Sequence, residues 1–170
     1  MKRFIEMFLR FLRRLFHPFG DRKPVTGGTE RRVVDDHQYF DVIGGLLEEG
    51  REVLMTPKGD SMLPFIRNGR DSVVLSKLTR PAMVGDIILV NIGGRYVMHR
   101  VFSVGDGTVT LMGDGNLAAW ETCSVDDIIG IVTEIHKEGG KVVKPGKGRL
   151  WRFLRPVRRY ILAFYKRVIL

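Results

Sequence analysis

A chain of 170 residues, 44% hydrophobic and 28% charged, has room for one domain with a real core and hardly for two, and its composition excludes the disordered, collagen-like and disulfide-rich classes. Residues 1–32, 33–136 and 137–170 hold 9, 8 and 11 Lys+Arg against 3, 15 and 1 Asp+Glu, so the net charge of +9 divides into +6, −7 and +10. A middle segment of negative balance is a poor nucleic-acid surface, whereas basic ends interleaved with aromatic residues suit anionic lipid headgroups or phosphates.

The single cysteine, Cys123, excludes an internal disulfide and any multi-cysteine metal site, and reads as a small buried residue in a reducing compartment. No run of about 18 apolar residues occurs, so no transmembrane helix is expected. Glu6, Arg10, Arg13 and Arg14 interrupt what would be the apolar stretch of a secretory signal.

In chain order, residues 2–17 place Phe4, Phe8, Phe11, Leu12 and Leu15 at helical spacing opposite Arg3, Glu6, Arg10, Arg13 and Arg14. That pattern predicts a basic amphipathic helix, and Pro18, Gly20, Pro24 and Gly27-Gly28 predict a linker through residue 32. Asp36 is placed to cap a short helix carrying Phe40, Ile43, Leu46 and Leu47 toward a core and ending near Gly50. Six short strands follow: 53–55, 72–75, 86–90, 95–98, 108–111 and 128–135, separated by Gly, Pro and Asp, which predict a mainly β domain over 33–136. A Lys/Gly-rich linker at 137–148 leads to a second basic amphipathic helix, its apolar side formed by Trp151, Leu154, Val157, Ile161, Leu162 and Tyr165, with Pro156 kinking it or starting a new one. Both terminal helices have the make-up of interfacial helices that lie in the plane of a bilayer surface; the alternative is that an apolar stripe packs back on the β domain.

The residues suited to chemistry begin with Ser61, held between Gly59, which permits a close turn, and Met62-Leu63-Pro64, which restricts the backbone. Around it the sequence resembles the signal peptidase I superfamily, which includes the self-cleaving LexA-type repressors. The resemblance is carried in order by Gly59-Asp60-Ser61-Met62-Leu63-Pro64 with Ile66-Arg67-Asn68-Gly69, by Val84-Gly85-Asp86-Ile87-Ile88-Leu89-Val90, by Tyr96-Val97-Met98-His99-Arg100-Val101, and by Gly113-Asp114-Gly115-Asn116, which looks like the family's Gly-Asp-Asn-Asn box. It implies a fold of short antiparallel strands and a serine endopeptidase without cofactor or metal.

Members of the family use lysine or histidine as base, and the base position here holds His99. Lys77, the only lysine between residues 61 and 136, falls too early in the chain for the Ser-Lys version. The resemblance thus implies Ser61 as nucleophile and His99 as general base in acyl transfer, with the backbone N–H of Ser61 or Met62 holding the oxyanion. Gly59 stands where many bacterial relatives place an assisting hydroxyl. Asp114 either orients the histidine or only shapes the turn, in which case the site is a dyad. The further Asp-Asp pair of histidine-type relatives is replaced by Ala119 and Trp120, with Glu121 adjacent but out of register, and Arg70 intrudes before Asp71.

His17, His37 and His136 fit no metal spacing, and Asp126-Asp127 reads as a cap on the turn before Ile128. The expected partners are a peptide or protein precursor and an anionic membrane surface, with no nucleic acid. The expected location is the cytoplasm, peripherally on the inner membrane face. The competing reading is a non-catalytic peptide-binding module on the same fold. A DNA-binding repressor is disfavoured because the 50 residues before the β domain's first strand supply only one convincing helix and no helix-turn-helix.

Overall fold

The computed structural model describes residues 36–169. The N-terminal helix and linker expected over residues 1–32, and His17 with them, lie outside the described residues. Residues 33–170 make one compact unit. It consists of helix α1 (Asp36–Glu48), strands β1 (Val53–Met55), β2 (Ser72–Ser76), β3 (Ile87–Ile92), β4 (Arg95–Val104), β5 (Thr108–Met112), β6 (Glu121–Ser124), β7 (Ile128–His136) and β8 (Val142–Val143), and helices α2 (Arg149–Phe153) and α3 (Arg158–Ile169).

The strands form one antiparallel sheet in the order β1-β2-β7-β3-β4-β5-β6, with β8 paired to β7. The mainly β architecture with flanking helices expected from the sequence is therefore present. Two strands were not anticipated. β6 is short and polar (Glu-Thr-Cys-Ser), and β8 is a two-residue pairing within the Lys/Gly-rich stretch, so neither offers an apolar alternation to read.

The sheet is buried on both faces near its centre, and β3 shows why its first four residues are all apolar. Ile87 and Leu89 join a cluster with Ile43, Leu47, Met62, Ile66, Val73, Leu75 and Val132, whereas Ile88 and Val90 join Val97, Val101, Val109, Leu111 and Cys123 on the opposite face. Side chains alternate between faces along a strand, so a strand covered on both sides has no polar positions. Helix α1 closes the first face. It approaches β7 at Gly130, where a Cβ would stand 2.7 Å from Leu47 Cδ1, and Phe40 stacks on Tyr96 with ring centroids 4.1 Å apart.

The C-terminal segment packs onto the same body. Trp151, Leu154, Ile161, Leu162 and Tyr165 are all buried, and of the apolar stripe read from the sequence only Val157, 43% exposed, is left outside. Pro156 falls in a 3-10 turn over Arg155–Val157 that separates α2 from α3, as its missing N–H allows. No helix among the described residues is long and apolar enough to cross a membrane.

Loops are tied down by buried charge. The Asp86 carboxylate accepts from Arg80 Nη1 at 2.7 Å, Lys147 Nζ at 2.6 Å and the Met83 amide at 2.9 Å. Burial alone would push its pKa up, but these hydrogen bonds outweigh it and hold the group down at about 2, from an ordinary 3.8. A carboxylate depressed in the folded state contributes stability above its unfolded pKa and loses that contribution as pH falls through the folded value. Asp86→Asn is therefore expected to lower the melting temperature at pH 7. The gap from wild type should narrow between pH 4 and 2 in a thermal-denaturation series; a gap unchanged down to pH 2 would contradict this account.

Candidate active site

Ser61 sits on the turn that follows Gly59, whose φ of +92° is a left-handed value that other residues adopt only with strain. The turn is held by Leu63 N–H donating to Asp60 O at 3.2 Å and by Phe65 and Ile66 N–H donating to Met62 O at 3.0 Å. Its far end is anchored at Asp71, fully buried, which accepts from Arg67 Nη2 at 2.9 Å and Lys137 Nζ at 2.8 Å. Burial opposes ionisation of Asp71, yet the hydrogen bonds from Arg67 and Lys137 prevail and its pKa lies below the ordinary carboxylate value. Met62, Leu63 and Ile66 are buried in between, so the segment that carries Ser61 is fixed at both ends.

The sheet supplies the other half of the site. His99 lies on β4, paired with Ile88 of β3, and is 6% exposed. On its other side Arg100 pairs with Met112, Val101 with Leu111, and Leu111 in turn with Glu121 of β6. Because side chains two apart share a face and paired residues face the same way, Val101, Leu111 and Glu121 all project on the face of His99. Glu121 reaches diagonally past the end of β5, and its Oε2 stands 2.5 Å from His99 Nδ1. Arg95 Nη2 donates to the second oxygen, Oε1, at 2.9 Å.

The same parity puts Asp114 on the opposite face, with Arg100. Arg100 Nε donates to Asp114 Oδ1 at 2.9 Å and Nη2 to Oδ2 at 2.7 Å, both residues being about 95% buried or more. The expectation that Asp114 orients the histidine is thus replaced by a pairing with Arg100, and the carboxylate on His99 is Glu121. The block containing Asp114 is conspicuous in sequence, whereas Glu121 stands five residues after Asn116 in a strand with no apolar pattern. What would have found it is the register: His99 and Asp114 lie on strand positions of opposite parity.

Glycines let the loop after β5 lie against the Ser61 turn. One step on from the Arg100–Met112 pair, toward the position facing His99, is Gly113, and a Cβ there would meet Ser61 O at 2.5 Å. Gly115 N–H donates to Ser61 O at 2.7 Å, and a Cβ on Gly115 would meet Asp60 O at 2.5 Å. The loop 113–116 and the Ser61 turn therefore touch backbone to backbone. No hydrogen bond joins Ser61 to His99 among the described residues.

The remaining candidates have structural partners. Lys77 pairs with Glu48 at 2.6 Å on the surface, away from Ser61. His37 packs edge-on to Tyr96, and His136 is bonded to Glu134. Asp127 and Ser124 form a reciprocal cap on the turn before Ile128, as the sequence suggested, and Cys123 is a free, buried thiol. A cleft of about 530 Å³ between α1 and the β3–β4 hairpin is lined by Phe40, Asp41, Asn91, Tyr96 and Asp126, and contains neither Ser61 nor His99.

An antiparallel β domain with a serine on a rigid turn, and on its sheet a histidine bonded through Nδ1 to a carboxylate, has the build of a serine-peptidase fold. The family model described as Peptidase S24-like matches residues 23–133, more than half of the chain, and the chain belongs to that family. No curated protein matches the chain.

The glycine contacts give a direct test. Gly115→Ala forces a methyl group against the Asp60 carbonyl, and overpacking of this kind costs about 1–3 kcal/mol. The variant is expected to melt below wild type and to lose Ser61 reactivity toward a serine-directed acylating probe, whereas Gly45→Ala, with open space around it, keeps that reactivity.

Proposed function

We propose that this protein is a serine endopeptidase related to signal peptidase I, cleaving a peptide or protein precursor with Ser61 as nucleophile, His99 as general base and Glu121 as the orienting carboxylate. The observation that carries the reading is the 2.5 Å contact of Glu121 with His99 Nδ1. A carboxylate there keeps the proton on Nδ1 and leaves Nε2 as the acceptor. His99 Nε2 takes the Ser61 Oγ proton as the oxygen attacks the scissile carbonyl. The tetrahedral intermediate then collapses as the same nitrogen protonates the departing amine, and water, activated in the reverse sense, releases the acyl group from Ser61.

The amides of Ser61 and Met62 donate to no other group among the described residues, so both are available to the oxyanion. One such donor is worth about 3 kcal/mol of transition-state stabilisation in other serine peptidases. Glu121 is itself held by Arg95, which restricts its second oxygen and favours the orientation that meets the imidazole. The basic character of the chain ends favours action at a membrane surface, on its cytoplasmic side.

A non-catalytic peptide-binding module is the second reading, and the missing Ser61–His99 hydrogen bond favours it. Acylation of Ser61 by a serine-directed probe distinguishes the two. Wild type should label; Ser61→Ala and His99→Ala should not, and Glu121→Gln should label about 10²–10⁴-fold more slowly with an unchanged melting temperature. Asp114→Asn is expected to do the reverse, losing stability first because it strands the buried Arg100. Equal labelling of wild type and His99→Ala would sink the catalytic assignment.

A further inference from the structure

All of the apolar stripe that the sequence offers to a bilayer except Val157 is buried in the domain, so lipid contact by this segment must be made by Val157 and by residues outside the stripe. The opposite side of this segment is unusual in its own right. Phe153 is 71% exposed, Tyr160 61% and Val157 43%, at spacings of four and three residues along α2, the 3-10 turn and α3. Trp120, 39% exposed, extends the patch across the start of β6, where Arg155 covers its ring at 4.7 Å. Arg159 lies over the Tyr160 ring at 4.5 Å. Residues 149–167 hold seven Lys or Arg and no Asp or Glu.

From this arrangement we propose that Trp120, Phe153, Val157 and Tyr160, with Arg155 and Arg159 around them, form the face by which the protein docks on an anionic lipid bilayer. The proposal rests on the membrane placement above and deepens it by naming the surface. Aromatic side chains on a rigid helix fit the headgroup boundary, and guanidinium groups beside them meet lipid phosphates. The unbroken positive charge favours a polyanionic partner over pairing of this face with the same face of a second copy, which would bring like charge against like. The inner side of the same segment touches the site: Trp151 Nε1 donates to Asp114 O at 2.9 Å, Arg158 Nη1 to Asn116 O at 3.2 Å, and Lys166 lies 3.8 Å from Asp60. Trp120 is the residue before Glu121. Docking through this face keeps the Ser61 turn on the segment that meets the bilayer, where the substrate would be a precursor segment lying on, or tethered to, the membrane.

The test is partitioning of full-length Ser61→Ala protein onto phosphatidylcholine vesicles with and without phosphatidylglycerol, compared with the same protein carrying Phe153→Ser and Tyr160→Ser. Both substituted side chains are exposed, and circular dichroism should show an unchanged fold. Binding should be at least about tenfold stronger to the anionic vesicles, weaken with added salt, and fall about tenfold or more in the double variant. Undiminished binding of the double variant overturns the assigned face while leaving the membrane placement standing. No vesicle binding at all, with retention on a nucleic-acid column or concentration-dependent dimerisation instead, overturns both. The chemistry of Ser61 is read separately by probe labelling of the active protein without vesicles, so failure there is distinguishable from failure here.

Discussion

The bidentate pair of Arg100 with Asp114 is the constraint on which the site depends. Each donor of Arg100 that is placed in the structure meets an acceptor: Nε and Nη2 take the two carboxylate oxygens, and Nη1 takes the carbonyls of Gly85 and Gly146 at 2.9 and 2.5 Å. One side chain thus ties the β5–β6 loop, the turn before β3 and the segment before α2 to β4. A buried pair of this kind adds little net stability over apolar packing, because desolvation offsets most of the attraction. Its effect is positional. With Asp114 fixed, Gly113 and Gly115 are fixed, and they are the surface on which the Ser61 turn rests.

His99 and Arg100 are neighbours on one strand, and the period of two sends them to opposite faces with different tasks. Arg100 turns toward the loop and the C-terminal helices, and His99 turns toward Glu121. The histidine can therefore have a carboxylate partner without competing for the one that Arg100 requires. Arg95 gives Glu121 its own cation at the exposed rim, so Glu121 and Asp114 are each matched.

Much of this was legible in the sequence, and the limits have physical causes. Gly59, Ser61 and the strands around His99 declare themselves through turn residues and β-branched runs, and α1 through its apolar spacing. Glu121 was visible beside the missing Asp-Asp pair but set aside as out of register, because its role arises from register across two strand pairings, which no local pattern encodes. The C-terminal stripe was legible as an apolar face, but its partner was not: periodicity says which residues share a side of a helix and is silent on whether protein or lipid covers it. Trp151 settles that for one side, being 1% exposed and hydrogen-bonded to Asp114 O. A short polar strand such as β6 lacks the hydrophobic alternation on which strand recognition rests.

Arg158 shows what the domain gives up to hold the site loop. It is 3% exposed and its Nε has no hydrogen-bond partner, while Nη1 reaches Asn116 O and Nη2 reaches Trp151 O at 3.1 Å. Desolvation draws its pKa below the ordinary arginine value, with Asp114 opposing and Arg155 and Arg100 adding to the effect. One carboxylate, Asp114, therefore lies near two buried guanidinium groups, an arrangement that an apolar residue at 158 would relieve. What such a residue would not supply is a donor to the Asn116 carbonyl. The loop that supports Ser61 is thus gripped from the sheet by Arg100 and from the C-terminal helices by Arg158 and Trp151. A chain lacking those helices would lose one of the two sides that hold the loop on which the Ser61 turn rests.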